Sequence, residues 1–200
     1  MNRQVLLSAG IVLMAMSRIL AEDKPKLPVT AELTGGVKYV LDLGGKTQEE
    51  YEESLKPGKN KLPKMPPPPK VDLKLVLKNI SDKEIQIYNT GDPVMIDLEL
   101  SGSGAVMMTS GLAMTMNFRM PKAVKLEAGK TLEIPITSLA GGKRGMSMYS
   151  YWTKAGEYEL KASFKTGVSP APKDAKTNAE GFAMISIDSE KLKIEIKDKK

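Results

Sequence analysis

The amino-acid sequence predicts an all-β protein, an antiparallel β-sandwich of at least seven strands with one short helix and a proline-rich connector. Three observations lead to this prediction. Apolar residues recur at every second position in many short segments, which is the period of a half-buried strand. These segments follow one another at spacings of about ten residues and are joined by Gly, Pro, Asn and Asp turns. Helical periodicity is almost absent, so parallel strands joined through crossover helices are not expected.

The clearest predicted strand begins at Val71, where Leu73 and Leu75 share one face and Asp72 and Lys74 share the other. Successive side chains of a strand point to opposite faces, so this alternation buries one face and solvates the other. The same pattern recurs at residues 94–100, 132–136, 158–164, 185–187 and 192–196. Residues 29–33 and 37–43 flank a Gly35-Gly36 turn, and we predict that they pair as a β-hairpin.

One insertion, residues 45–70, interrupts the strands. Thr47 followed by Glu50 is a capping box, which predicts a short helix that presents Tyr51 and Leu55 on one face. Residues 56–70, which include four consecutive prolines at 66–69, are predicted to run as an extended polyproline II connector because proline cannot donate to a sheet. Residues 166–180 are predicted to form a second irregular loop.

The N-terminus has the pattern of a secretory signal peptide. Arg3 precedes an apolar run of about twelve residues, which is short for a membrane span of ~20 residues. We predict a signal peptide at residues 1–21, cleaved after Ala21, with a cut after Ser17 or an uncleaved anchor as alternatives. Residues 22–200 then form a single domain, and no membrane span is expected after cleavage.

Composition excludes several classes of function. The chain has no histidine and no cysteine, which removes the usual general base near neutral pH, thiol nucleophiles and most zinc sites. We therefore predict that the protein is not an enzyme and holds no cofactor. The carboxylates of Asp92, Asp97 and Glu99 are close in sequence, but the turn and strand positions that they occupy predict solvated side chains.

Charge and the missing cysteines bear on partners and compartment. The formal net charge is +6, and Arg3 and Arg18 of the predicted signal peptide contribute two of those charges. The lysines alternate with acidic residues and do not gather with aromatic side chains, so no nucleic-acid partner is predicted. An exported chain without disulfides is commoner in bacteria than in animal secretion, which predicts the periplasm or cell surface of a bacterium.

The stretch "WTKAGEYEL", residues 152–160, resembles a specific corner of immunoglobulin-like sandwiches. In that fold a tyrosine leads into a late strand, two residues before the disulfide cysteine, and its hydroxyl bonds to backbone upstream. Tyr158 matches the tyrosine, and Leu160 stands in place of the cysteine. The resemblance implies an Ig-like β-sandwich with Tyr158 buried at this corner.

A broader resemblance covers most of the chain. The segments "GDPVMIDLELSGSGAV", "MPKAVKLEAGKTLEIPITSL" and "GEYELKASF", in this order, are similar to uncharacterised exported bacterial Ig-like β-sandwich proteins of planctomycete type. This group implies no catalytic residues. A weaker similarity, at residues 126–132, is to the bacterial intracellular proteinase inhibitor domain. An export signal is at odds with that intracellular role.

The stretch "MMTSGLAMTMNFRM", residues 107–120, is rich in methionine. A row at every second position predicts one buried face of a strand: Leu112, Met114, Met116, Phe118 and Met120. Methionine is unbranched and polarisable, so it fills irregular space between sheets. The alternative is a Cu(I) site of thioethers, because Met146 and Met148 repeat the Met-x-Met spacing of Met114 and Met116.

The sequence predicts one binding surface. Lys143 and Arg144 lie in a glycine-rich turn, and three aromatic residues follow it, Tyr149, Tyr151 and Trp152. Arginine and aromatic side chains are enriched where binding energy concentrates. The predicted function is therefore a non-catalytic exported Ig-like module that binds a protein, a glycan or an envelope component. The alternatives are the copper-binding protein, a proteinase inhibitor-like module, and ordinary packing of these aromatics on the sandwich.

Titration with Cu(I) under reducing conditions separates packing methionines from metal ligands. If Met116 only packs, neither the wild type nor Met116→Leu will bind Cu(I) with submicromolar affinity, because leucine conserves volume and removes the sulfur. Submicromolar binding by the wild type that is lost in Met116→Leu would establish the copper alternative instead.

Overall fold

The computed structural model describes residues 27–56, 65–110 and 117–199, and the predicted signal peptide lies outside them. The described chain is an antiparallel Ig-like β-sandwich with one short helix. Its elements in chain order are β1 (Val29–Gly35), β2 (Lys38–Val40), α1 (Gln48–Ser54), β3 (Lys70–Asn79), β4 (Ile85–Thr90), β5 (Met95–Gly102), β6 (Ala105–Thr109), β7 (Lys122–Leu126), β8 (Thr131–Ser138), β9 (Ala140–Lys143), β10 (Met146–Trp152), β11 (Gly156–Ser169), β12 (Ala183–Asp188) and β13 (Leu192–Lys197). Within these ranges, no helix has the length and apolar character that crossing a membrane requires.

The strands form two sheets. The smaller sheet has the order β1-β3-β8, and the larger follows the path β2-β13-β11-β5-β9-β10-β6. Beyond this path, β4 and β12 pair with β11, and β7 pairs with β4. Among the described strands, every pair is antiparallel except that of β2 with β13, which is parallel. The hairpin of β9 and β10 and the edge strand β6 thus lie at one side of the larger sheet.

The main core lies between the sheets and follows the period-two pattern of the sequence. Strand β3 alternates buried and exposed residues almost perfectly, and Leu75 and Leu77 are fully buried. Facing them, β11 contributes Leu160 and Phe164, which are also fully buried. Burying one such side chain contributes about 1.5–3 kcal/mol, so the alternating segments supply most of the driving force for folding.

The Tyr158 corner is confirmed. Tyr158 is 2% exposed, and its hydroxyl donates a hydrogen bond of 2.7 Å to the carbonyl oxygen of Lys154, four residues upstream. Its ring lies against Gly102, where an added Cβ would come within 2.6 Å of the ring carbon Cδ1. The ring therefore closes the end of the core while the hydroxyl stays hydrogen-bonded.

The predicted helix is also confirmed. The Oγ1 of Thr47 accepts from the Glu50 N–H at 3.2 Å, and a Glu50 carboxylate oxygen accepts from the Thr47 N–H at 3.0 Å. These two bonds complete the capping box. On the inner face of α1, Tyr51 and Leu55 are buried in a second apolar cluster with Met108 of β6 and Tyr151 of β10. The helix therefore covers the outer surface of the larger sheet near β6.

The predicted hairpin of residues 29–33 and 37–43 is wrong. Strand β1 pairs with β3 in the smaller sheet, whereas β2 pairs in parallel with β13 in the larger one. The chain crosses between the sheets at Gly35 and Gly36, and the Gly36 N–H donates to the Asp72 carbonyl. Tyr39 of β2 stacks on Trp152 with ring centroids 5.5 Å apart. The pairing with β13 and this aromatic contact, neither of which the local alternation encodes, both join β2 to the larger sheet.

The predicted loop at residues 166–180 starts four residues too early, because β11 continues to Ser169. Thr166 is fully buried, and its hydroxyl donates to the Tyr88 carbonyl at 2.6 Å. The end of β11 pairs with β4 on one side and β12 on the other. Two long-range neighbours therefore extend the strand beyond its apolar alternation.

The buried methionine row is wrong where the structure describes it. Residues 117–120 form no strand, and Phe118 and Met120 are 56% and 67% exposed. Leu112, Met114 and Met116 lie outside the described residues. Period-two spacing alone did not establish burial at residues 117–120, because the side chains of Phe118 and Met120 have no facing sheet to cover them.

Removing the Tyr158 hydroxyl tests the corner. We expect Tyr158→Phe to lower the free energy of unfolding by about 1 kcal/mol, since one intramolecular hydrogen bond is lost while the ring remains packed. Urea unfolding monitored by circular dichroism measures this change. Tyr149→Phe, on the half-buried Tyr149, is the matched control. An unchanged midpoint for Tyr158→Phe would mean that the bond to Lys154 does not stabilise the corner.

Candidate functional site

The predicted binding residues Lys143 and Arg144 lie at the tip of the β9–β10 hairpin. Lys143 pairs with Met146, so Arg144 and Gly145 form a two-residue turn. Gly142 has a φ of 113°, and a Cβ there would collide with the Met146 carbonyl oxygen, so the position requires glycine. Lys143 and Arg144 are exposed, and their place at the hairpin tip brings both side chains to one end of the sandwich.

Tyr151 and Trp152 cannot contribute contact area to a ligand, so this part of the predicted surface is wrong. They are 0% and 4% exposed, although successive residues of a strand point to opposite faces. Trp152 faces the main core, while Tyr151 faces the cluster under α1 and donates a 2.7 Å hydrogen bond to the Pro66 carbonyl. Burial raises the pKa of Tyr151 far above its usual value. The described parts of the predicted insertion, residues 45–56 and 65–70, thus cover a strand face that would otherwise be solvated.

Tyr149 remains accessible in part. Its ring meets the Tyr151 ring edge-on at 6.5 Å, and it lines a surface depression beside the hairpin. Tyr149 can therefore offer one apolar face to a ligand while its other side packs on the protein.

A charged cluster lies next to the hairpin tip. Asp92, in the turn between β4 and β5, has a side chain that is only 10% exposed. Its Oδ1 is 3.7 Å from Nη2 of Arg119, and its Oδ2 is 3.5 Å from Nη1 of Arg144. Backbone bonds fix this arrangement, because the Arg119 N–H donates to Oδ2 at 2.9 Å and the Asp92 N–H donates to the Arg119 carbonyl at 2.8 Å.

The cluster has an excess of positive charge. The Arg119 backbone N–H, followed by the guanidinium groups of Arg119 and Arg144, lowers the pKa of Asp92, so this carboxylate is ionised at neutral pH. One negative charge thus faces two guanidinium groups, with Lys143 at the same end of the sandwich. The side chain of Arg119 is 72% exposed, whereas Arg144 is 35% exposed and lies over the Phe118 ring at 5.8 Å.

These side chains line a concave surface, which we call the basic depression. Its volume is about 380 Å³, and its lining includes Arg119 and residues 141–147 of the β9–β10 hairpin. A neighbouring depression of about 480 Å³ shares Arg119 and Gly142 and adds Tyr149. Arginine presents planar, paired donors that match carboxylate and phosphate oxygens. The arrangement is therefore suited to holding an anionic group.

The carboxylates offer no competing chemistry. Within the described ranges, no three Asp or Glu side chains are grouped as metal ligands. Glu99 is exposed, as predicted, but the prediction of a solvated Asp92 is wrong. Asp97 is half-buried, burial raises its pKa, and its Oδ1 has no hydrogen-bond partner. It does not line either depression beside the hairpin.

Met146 and Met148 are half-buried on β10, while Met114 and Met116 lie outside the described residues. The thioether copper site therefore stays a prediction.

Two site residues, Asp92 and Arg119, were not predicted from the sequence. The signal that could have found them is the scarcity of arginine, because Arg119 and Arg144 are the two arginines beyond the predicted signal peptide. Both approach the same aspartate. Their separation of 27 and 52 residues from Asp92 hid this convergence from any local pattern.

The pH dependence of stability tests the Asp92 cluster. A carboxylate whose pKa is lowered by folding stabilises the protein above its unfolded pKa, about 3.9, and loses this effect as the pH falls through the folded value. We expect Asp92→Asn to be less stable than the wild type at pH 7 and the difference to shrink below about pH 4. Urea unfolding at pH 7, 5 and 3 measures it, with the exposed Glu127→Gln as control. A difference that is equal at pH 3 and pH 7 would show that the ion pairs do not cause it.

No family model and no curated protein matches the sequence. Native E. coli alpha-2-macroglobulin aligns with 86% of this chain at 14% identity and a TM-score of 0.35, and the chain spans 7% of that protein. Its trypsin-activated form gives 16% identity, the same coverages and a TM-score of 0.31. The ASH/PapD-like domain of human CEP192 aligns over 99% of this chain and 100% of the domain, at 11% identity and a TM-score of 0.25. For this chain, the antiparallel pairing and the Tyr158 corner define an Ig-like β-sandwich.

Proposed function

We propose that this protein is a non-catalytic, exported Ig-like binding module that holds an anionic group of its partner in the basic depression. The observation that carries the proposal is the meeting of Arg119 and Arg144 at one largely buried carboxylate, Asp92, beside a concave surface. Asp92 neutralises one charge and orients both arginines. The exposed Arg119 side chain and Lys143 face solvent, where a ligand can reach them.

The chemistry favours carboxylate or phosphate groups on a larger partner. Two guanidinium groups and one ammonium group supply directional donors, and the half-buried Tyr149 supplies an adjacent apolar surface. Acidic glycans and phosphate-bearing envelope components combine such groups with apolar ring or chain surfaces. The signal-peptide pattern and the absence of cysteine support a bacterial periplasm or cell surface as the place where the module works.

The proteinase inhibitor-like alternative needs a rigid loop with a protruding side chain. The hairpin tip is short, but Arg144 is turned back onto Asp92 and the Phe118 ring. A side chain held against its own protein cannot enter a protease pocket without giving up these contacts. The geometry therefore favours the anion-binding role over inhibition.

An NMR titration with inorganic phosphate as the probe tests the proposal. We expect the signals of the Arg119 and Arg144 guanidinium groups and the Gly142 amide to shift first. Arg119→Gln should weaken binding about tenfold or more, the equivalent of ~1.4 kcal/mol for a lost charge-assisted contact. Added sodium chloride should weaken it as well, because the contacts are exposed to solvent.

The control is Lys130→Gln, which removes a charge from an exposed turn between β7 and β8. It should leave the affinity unchanged. If Arg119→Gln and Lys130→Gln weaken binding equally, phosphate is responding to net charge only, and the basic depression is not a site.

A further inference from the structure

Strand β6 is an edge strand of the larger sheet, and none of its residues lines the basic depression. Strand β6 pairs with β10 along one side, and no other described strand pairs with its second side. The second side therefore presents backbone donors and acceptors without sheet partners in the described chain. Open edges of this kind pair with other strands unless something blocks them.

Hydrogen bonds at both ends of β6 show which backbone groups point outward. The Thr153 N–H donates to the Gly104 carbonyl at 2.9 Å, and the Ser110 N–H donates to the Ser147 carbonyl at 2.8 Å. In an antiparallel ladder the bonded residues alternate, so the even-numbered residues 104–110 bond to β10. The N–H and C=O groups of Ala105, Met107 and Thr109 consequently point to the open side.

The composition of β6 sets it apart from the other edge strands. Natural edges carry charged residues or proline, which discourage pairing. Among the described edges, β1 has Glu32, β2 has Lys38, β7 has Lys122 and Lys125, β8 has Glu133 and Pro135, and β12 has Asp188. Strand β6, with the sequence AVMMT, has no charged residue and no proline. Its central residue, Met107, is 59% exposed.

We propose that β6 is a self-association edge at which two copies of this chain pair antiparallel about a two-fold axis at Met107. In this register Met107 lies opposite its own copy, and Ala105 lies opposite Thr109. Each of these outward-facing pairs can exchange two backbone hydrogen bonds. The contact is isologous, so it closes at a dimer and does not propagate.

The features of β6 favour a second copy as the occupant. Two identical uncharged strands meet without like-charge repulsion, and the two exposed Met107 side chains cover each other. A strand of five residues buries less than the ~1,000 Å² that stable interfaces exceed, so the dimer is weak and dissociates on dilution. Sedimentation velocity should show a sedimentation coefficient that rises with concentration, and this rise should be lost in Met107→Lys. Val40→Lys, on the 57% exposed Val40 of the opposite edge strand β2, should leave it intact.

Single cysteines fix the register, because the chain has no cysteine of its own. The proposal places the two Met107 Cα atoms about 5.5 Å apart, within disulfide range, and the two Thr109 Cα atoms about 14 Å apart, which is too far for a disulfide. Under mild oxidation with diamide, Met107→Cys should form a covalent dimer and Thr109→Cys should not. Equal cross-linking of both variants would overturn the register, and a wild type that stays monomeric at every concentration, with no Met107→Cys dimer, would overturn the proposal. Neither result involves the basic depression, so the two proposals fail independently.

Discussion

Strand β11 is the constraint on which the rest of the structure depends. Its first half is flanked by β5 and β13, and its second half by β12 and β4, so four strands take their register from it. Nearly every inward-facing residue along it is fully buried. The Tyr158 ring closes one end, and Thr166 bonds to the Tyr88 carbonyl near the other. Because β11 has fixed neighbours on both sides, changes in sequence are accommodated more easily in the hairpins at the edge of the sheet.

Much of the fold could be predicted because its signals are local. Alternation along β3, β11 and β13 needed only nearest neighbours, and the capping box of α1 spans four residues. The pairing partner of a short strand, in contrast, depends on residues that are distant in the sequence. Tyr39 and Trp152 are far apart in sequence and stack only in the folded protein, and β2 pairs with β13 instead of β1. No short stretch of sequence contains these contacts, so the hairpin was predicted in their place.

The candidate site was predicted only in part, because some of its signals are local and others come from residues distant in the sequence. Lys143 and Arg144 were found because a glycine-rich turn marks a hairpin tip. Tyr151 was misassigned because the segment that buries it, at Pro66, lies 85 residues earlier in the chain. Trp152 was misassigned because it faces the main core. Asp92 was interpreted as a solvated turn residue, yet its ion pairs come from residues 27 and 52 positions away. Ion pairs between residues so far apart in the sequence produce no periodic pattern from which they could be predicted.

In the β9–β10 hairpin, the residues that set the backbone are different from the residues whose side chains can contact a ligand. At Gly141 a Cβ would lie 2.5 Å from the Ile96 carbonyl oxygen, and at Gly142 it would strike the Met146 carbonyl. A side chain at Gly141 would therefore push the hairpin away from β5, and one at Gly142 would force β9 and β10 of the hairpin apart. Positions 143, 144 and 149 carry no such restriction, since their side chains are partly or fully exposed. Related chains can thus exchange the side chains that meet a ligand and retain the same backbone, so ligand preference is free to diverge while the architecture stays fixed.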